Sequence, residues 1–359
     1  MPDSVPHNRP LVTGEDRRAV DSVLSSGLLC TGNEVAHFEE AFSSYLGGGA
    51  SCAVSSGTAA LYMALISLGV SRADRVAVPT YSCSAILNAV KLAGAEPVII
   101  DVNRDTYCID PDRVAAEARR SPLKATIVVH SFGVSTDLSG LNGSGGLLIE
   151  DCCQSLGSRR LSPSGPPEPF GVQGDIAVFS FYATKTITCG QGGLLHTGDT
   201  HLIDAARDYR DYDQPAMYRP RFNFAMTDFQ AAMAASQFAR LPEIVDRRRS
   251  IAAAYERVLP AGLTRQGGST PMTVPFRFVV TAESGAARRE VQSHLRRRGI
   301  QTIVPVEKWE LLHRYLNLDP GRFPAAEQLA DVAISLPIFP GLTAREVDAV
   351  IEALSTVRI

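Results

Sequence analysis

Residues 51–69, "SCAVSSGTAALYMALISLG", read as a strand, a turn and a helix in immediate succession. "SCAVSS" (51–56) is short, apolar and free of charge. "GTAALYMALISLG" (57–69) sets Ala60, Leu61, Ala64, Leu65 and Leu68 on one stripe at helical spacing. The turn between them, "SSGT", is built of small residues with hydroxyls on both sides of a glycine. A strand that feeds directly into a helix is the repeating unit of a parallel sheet covered by helices.

The same alternation continues downstream. "RVAVP" (75–79) reads as a strand ended by its proline, and "SAILNAVKLAG" (84–94) as a helix closed by Gly94. "EPVIIDV" (96–102), "ATIVVHS" (125–131), "GLLIED" (146–151), "IAVFSF" (176–181) and "GLLHT" (193–197) read as further strands. Their apolar runs are continuous rather than alternating, as in strands buried on both faces. The expectation is an α/β domain over residues 1–240, its central sheet mostly parallel with helices on both faces. Two helices, "GEDRRAVDSVLSSG" (14–27) and "EVAHFEEAFSSYLG" (34–47), precede the first strand and pack on either domain.

From residue 241 the pattern changes to a smaller α+β domain, 241–359. A long helix, "LPEIVDRRRSIAAAYERVL" (241–259), leads into a strand, "TVPFRFVV" (273–280). The helices "ARREVQSHLRRRG" (287–299) and "TAREVDAVIEAL" (343–354) follow. The runs "RRR" at 247–249 and 296–298 read as solvated helix faces. "SPSGPPEPFG" (162–171) reads as a loop, and "NGS" (142–144) as a turn.

Composition narrows the function. The 359 residues are 45% hydrophobic and 20% charged, with a formal net charge of -3. Such a balance indicates neither a nucleic-acid binder nor a membrane-surface protein. No apolar run approaches the ~20 residues of a membrane span. The start, "MPDSVPHNRP", has no apolar signal core, so the expected location is cytoplasmic. Seven cysteines without a C-x-x-C pair read as reduced thiols. The seven histidines lack ligand spacing, so no metal site is expected.

Ligands of open α/β sheets bind beyond the carboxyl ends of the strands. There this chain places three features. Ser56, Gly57 and Thr58 open a helix, where free N–H groups favour an anion such as phosphate; an ordinary N-cap is the plainer reading. Asp151 ends a buried strand, with Gln154 three residues on; alone it reads as a cap or turn. Ser180 and Lys185 follow another strand in "SFYATKTITCGQGG" (180–193); alone, Lys185 reads as a loop lysine. Together they are the parts of a pyridoxal 5'-phosphate site: a phosphate nest, a carboxylate for the pyridine nitrogen and a lysine for the Schiff base. A P-loop pattern and a dinucleotide fingerprint are both missing.

The order of motifs resembles the DegT/StrS family of sugar aminotransferases, which have the aspartate aminotransferase fold (fold type I). "SSGLLCTGNEVAHFEEAFSSYLG" is similar to the family opening, "SSGTAALYMAL" to its "SGTxAL", and "VPTYSCSAILNAV" to its "VPSxTxxAxxxAV". "IEDCCQSLGS" matches "EDxxQxxGx", and "FSFYATKTITCGQGG" matches "FSFxxxKxxxxGxGG". "RFNFAMTDFQAAMAASQFARLPEIVDRRR" resembles the family's "xNxRMxxxQAAxxxxQLxxLxxxxxRR". The resemblance implies that Lys185 forms the Schiff base and moves the proton, and that Asp151 pairs with the pyridine nitrogen. It implies that Gln154 contacts the ring oxygen and that Ser180 binds the phosphate with Ser56, Gly57 and Thr58. Asn223 would reach the phosphate of a neighbouring subunit, implying a homodimer with shared sites. His130 would fix the loop beside the cofactor, and Cys152 and Cys153 would be packing thiols.

Three positions depart from the family pattern. Cys83 stands where an aromatic usually stacks on the ring, with Tyr81 the nearest aromatic. Ala225 stands in place of the motif arginine, for which Arg219 or Arg221 could substitute. "IVPVEKWELLH" (303–313) replaces "HYxxxxH", keeping only His313. Thr31, Arg221, Trp309 and His313 are candidate substrate contacts. The expected activity is transfer of an amino group from an amino acid, glutamate by resemblance, to a keto group of a nucleotide sugar or related metabolite. A non-transaminating enzyme on the same fold, or a silent cofactor-binding regulator, are the alternatives.

Overall fold

The computed structural model describes residues 4–141, 146–162, 165–213, 217–218, 220–267 and 272–358. The "NGS" turn (142–144) and Arg219 lie outside the described residues.

Two helices, α1 (Gly14–Ser26) and α2 (Asn33–Tyr45), open the chain. Strands and helices then alternate: β1 (Ala50–Val54), α3 (Gly57–Ser67), β2 (Arg75–Pro79), α4 (Ser84–Leu92), β3 (Glu96–Ile100), α5 (Pro111–Arg120), β4 (Ala125–Val129) and β5 (Leu147–Asp151). β6 (Arg159–Arg160) and β7 (Glu168–Pro169) pair antiparallel, so the segment expected to be a loop over 162–171 carries a two-residue strand. β8 (Ile176–Ser180), β9 (Gly193–Thr197) and the helices α6 (Thr200–Arg210) and α7 (Asp228–Ala239) complete the first part.

The main sheet has seven strands in the order β1-β9-β8-β5-β4-β2-β3. All run parallel except β9, which is antiparallel to both β1 and β8. The reason is the connection. β8 reaches β9 through the loop 181–192, which holds no helix, whereas a parallel neighbour usually needs a helical crossover. Lys185 sits in that loop.

The 57–69 segment forms α3 as expected, with one difference. Every residue from Ala59 to Leu65 is buried, so the helix is covered all round rather than along one stripe. It lies between α4 and α6 and against β8 and β9. α1 and α2 lie against α7, and Val35, Phe38 and Phe42 join Phe179, Phe181 and Leu194 in one core.

The rest is a separate three-stranded antiparallel sheet, β10 (Leu263–Arg265), β11 (Phe278–Ala282) and β12 (Ala333–Leu336). It packs with α8 (Leu241–Glu256), α9 (Gly285–Arg297) and α12 (Ala344–Ser355) around Ile251, Tyr255, Phe278, Leu295 and Val350. The short α10 (Leu312–Tyr315) and α11 (Pro324–Val332) stand between α9 and β12. α8 serves both cores: Leu241, Ile244 and Val245 face one, and Ile251, Ala252 and Tyr255 the other.

Two sequence expectations are corrected here. The run Arg247–Arg249 is not a solvated face. Arg248 is fully buried and donates to the carbonyls of Pro275, Phe276 and Ile338, while Arg247 and Arg249 donate to Leu342, Met272 and Thr273 carbonyls. The strand expected over 273–280 begins only at Phe278. Pro275 has no N–H to pair, and the Phe276 N–H turns back to the Val274 carbonyl. Among the described residues, no helix is long and apolar enough to cross a membrane.

Candidate active site

The carboxyl ends of β1, β2, β5 and β8 lie on one edge of the sheet and surround a cavity of about 240 Å³. β1 delivers Ser56, Gly57 and Thr58; β2 delivers Ser82 and Cys83; β5 delivers Asp151, Cys153 and Gln154; β8 delivers Ser180, Tyr182 and Lys185. Residues 125 positions apart in the chain thus meet because the sheet order brings their strand ends together.

At the β1 end, Ser56 caps α3: its Oγ accepts the Ala59 N–H at 3.1 Å. The N–H groups of Gly57 and Thr58 have no partner among the described residues, as expected at the first turn of a helix. They stand on the cavity wall at the positive end of the helix dipole. Gly57 is obligatory. A Cβ there would lie 2.8 Å from Ser180 Cβ, 3.1 Å from Ser180 Oγ and 3.4 Å from Cys153 Sγ.

Asp151 is 4% exposed, at the tip of β5. One carboxylate oxygen accepts the Cys153 N–H at 3.0 Å, and the Cys153 thiol also bonds to the carboxylate. Gln154 Oε1 accepts the Phe132 N–H at 3.1 Å, which leaves its amide nitrogen for the cavity. Lys185 is held by a turn, its N–H donating to the Tyr182 carbonyl at 2.9 Å. Its Nζ lies 5.2 Å from the centre of the Phe276 ring, and no carboxylate among the described residues pairs with it.

Burial, with the Asp151 charge adding to it, pushes the Cys153 thiol well up. Behind the wall, His130 Nε2 bonds Glu150 at 2.8 Å in the fully buried layer. Burial raises the Glu150 carboxyl, but the His130 bond and the Arg160 charge outweigh it and leave it at about 2. His130 therefore acts from behind, consistent with a positioning role.

Several expected site residues stand elsewhere. Tyr81 does not face the cavity: its ring packs in a separate cluster, edge-on to Tyr107 at 5.7 Å. The chain bends after β2, with the Ser82 N–H donating to the Thr80 carbonyl, and Ser82 and Cys83 take the wall instead. His313 is a buried clamp rather than a substrate contact. Its Nδ1 bonds Thr80 Oγ1 at 2.7 Å, its Nε2 bonds Glu327 at 2.9 Å, and its ring stacks on Phe323. Arg221 is consumed by Asp208, at 3.0 and 3.1 Å, and by main-chain carbonyls. Trp309 sits on a one-turn surface helix with 66% of its surface exposed, off the cavity wall. Thr31 and Asn223 line a second cavity, of about 480 Å³, and the Thr31 hydroxyl donates to the Met226 carbonyl. Cys153, expected as packing, is on the wall. Ser82 and Gln191 are also on the wall and carried no signal of their own; the glycines beside Gln191 were the one hint of a loop in close approach.

The donor set fits pyridoxal phosphate. Two unpaired helix N–H groups and the Ser180 hydroxyl suit the phosphate, the Asp151 carboxylate suits a ring N–H, and the Lys185 amine, without a carboxylate partner, suits the aldehyde.

The DegT/DnrJ/EryC1/StrS aminotransferase family matches residues 10–355. Among solved structures, DesV of S. venezuelae, solved with a ketimine intermediate, is 31% identical, with a TM-score of 0.86 over 95% of this chain and 93% of that one. The aminotransferase TlmJ of Streptoalloteichus hindustanus is 27% identical, with a TM-score of 0.87 over 97% of each chain. The Streptococcus pneumoniae protein Spr1654, in its PLP form, shares the fold at 24% identity, with a TM-score of 0.89 over 98% of each chain.

Proposed function

The chain belongs to the DegT/DnrJ/EryC1/StrS aminotransferase family, and from that premise we propose that this pyridoxal-phosphate-dependent aminotransferase moves an amino group from an amino acid, glutamate first among them, to the ketone of a nucleotide-linked or related sugar. The observation that carries the reading is the convergence on one cavity of the Gly57 and Thr58 N–H groups, the Asp151 carboxylate and the Lys185 amine.

When bound, the cofactor supplies an electrophilic aldehyde and a protonated ring that accepts electron density. Gly57, Thr58 and Ser180 hold its phosphate, with the helix dipole favouring the negative charge. Asp151 keeps the ring nitrogen protonated, because an adjacent anion favours the cationic form. Gln154 donates its amide to the ring oxygen. Lys185 Nζ anchors the aldehyde and, once released, carries a proton to and from the substrate carbon. Leu61, Cys83 and Tyr182 line the rest of the cavity.

Asn223 lies on a different cavity from Lys185 of the same chain. That placement supports a homodimer in which Asn223 serves the neighbouring subunit's phosphate. Exposed apolar side chains close to it in sequence or space, Leu28, Met217, Tyr218 and Phe222, supply a face for such an interface. Residues 1–240 then form the cofactor-holding unit and 241–359 the smaller one, in a cytoplasmic enzyme.

The reading is tested with nitrogen-labelled glutamate and a panel of keto nucleotide sugars. Label recovered in an amino sugar supports it. Consumption of the sugar without label, as in a dehydration, would overturn it.

A further inference from the structure

We propose that Gln237 is a positioning residue for Lys185: its one amide ties the lysine's loop to the N-terminal segment, which is itself fastened to the three-stranded sheet. The inference rests on the aminotransferase reading above and concerns the same site.

Gln237 lies in the last turn of α7 and is buried. Its Oε1 accepts the Thr188 N–H at 2.9 Å. Its Nε2 donates to the Leu11 carbonyl at 3.0 Å and to the Asp16 carboxylate at 3.2 Å. The amide can stand only one way round, because an N–H needs its oxygen while a carbonyl and a carboxylate need its nitrogen. Thr188 follows Lys185 by three residues. The Thr188 hydroxyl donates to the Phe181 carbonyl at 3.1 Å and accepts the Gly190 N–H at 3.0 Å, which closes the lysine's loop at its base. Gln230, on the same helix, holds the far end through the Gln191 carbonyl at 3.0 Å. Lys185 lines the cofactor cavity and also a narrow cleft whose other wall includes Arg9 and Leu11.

The N-terminal segment is anchored at the other end. The Val5 N–H donates to the Gly299 carbonyl at 2.8 Å, the Val5 carbonyl accepts the Gln301 N–H at 2.9 Å, and the Val5 side chain is buried in the core of the three-stranded sheet. His7 Nε2 bonds Ser335 Oγ of β12 at 2.9 Å. Arg9 pairs with Glu346 of α12 at 3.1 Å, and its Cζ lies 5.3 Å from the centre of the Phe339 ring. Two residues later Leu11 meets Gln237, and Thr13 caps α1. One short stretch of chain thus runs from the second sheet to the helix that holds the lysine's loop. Asp16 keeps other partners, Ser236 at 2.8 Å and Arg240 at 2.7 Å, so its place does not depend on Gln237 alone. The Thr188 N–H does depend on it: without the amide oxygen a buried donor is left unpaired, and the loop must shift to satisfy it. A shift of ~1 Å in a reacting group can cost about 100-fold in rate.

The test compares the wild type with Gln237→Leu, Arg9→Ala and Ser236→Ala, the last removing a bond to the same Asp16 without touching the loop. In rapid mixing of the holoenzymes with saturating glutamate, the rate at which the cofactor's visible band bleaches should fall about 10- to 100-fold in Gln237→Leu. It should fall less in Arg9→Ala and stay unchanged in Ser236→Ala. The half-saturating glutamate concentration should stay within about twofold in all four, because the tie places the lysine and binds no substrate. In the apoproteins, amide hydrogen exchange in the peptide 181–192 should speed up in Gln237→Leu and Arg9→Ala and not in Ser236→Ala. Wild-type rate and exchange in Gln237→Leu overturn the proposal. So does an equal fall in Ser236→Ala, which would make the effect one of general stability, or a change confined to the half-saturating concentration. If Gln237→Leu does not fold, Arg9→Ala decides: unchanged exchange in its 181–192 peptide overturns the tie. If no amino acid bleaches the wild type, the aminotransferase reading falls, while exchange in the apoproteins still judges the tie.

Discussion

Gly57 has room for no side chain unless Ser180 moves, since a Cβ would sit 2.8 Å from Ser180 Cβ. Gly57→Ala is therefore expected to fold and to lose cofactor affinity by about 10-fold or more, read by titrating the apoprotein with cofactor. Asp151→Asn keeps the shape and removes the charge. It should retain bound cofactor while kcat falls by roughly 100-fold or more. These residues were legible in the sequence because their places are set by main chain: each follows a buried strand, and the strand ends share an edge. Arg221 and His313 were not, because each is claimed by a partner that no local pattern announces. Arg221 meets Asp208, and His313 meets Thr80 from 233 positions away.

At the scale of elements, α10 and α11 hold the loop after β2 in place. His313 bonds Thr80 on one side and Glu327 on the other, and the Leu312 N–H donates to the Thr80 carbonyl at 3.0 Å. His313→Ala removes the ring bonds to Thr80 and Glu327 and leaves the Thr80 hydroxyl only the main-chain N–H of residue 313, so a loss of about 1–3 kcal/mol is expected in urea unfolding. The strands of the main sheet were readable from continuous apolar runs bounded by turns, and most begin and end within two residues of expectation. The direction of β9 was not readable, because apolarity is the same for parallel and antiparallel buried strands. The 274–277 segment misled for a related reason. Val274 and Phe276 are buried in two different cores, and burial of that kind imitates a strand.

For the whole molecule, burial holds His196 down to about 4, where an unfolded histidine takes up its proton near 6.5. Between those values the unfolded chain binds a proton that the folded chain does not, so stability falls as pH drops through that window. The contribution of His196 is on the order of 3 kcal/mol, and His196→Gln should flatten the dependence of the urea midpoint on pH. The shared-site dimer predicts complementation. Lys185→Ala and Asn223→Ala homodimers, each impaired, should regain activity when their subunits are mixed, because one hybrid site then carries both native residues. The most direct measurement is the visible spectrum of the holoenzyme, followed by borohydride reduction and peptide mapping. The account predicts a band that bleaches with glutamate and returns with its keto acid, and a reduced cofactor fixed on Lys185. A cofactor fixed on another lysine, or a band unmoved by every amino acid, would contradict it.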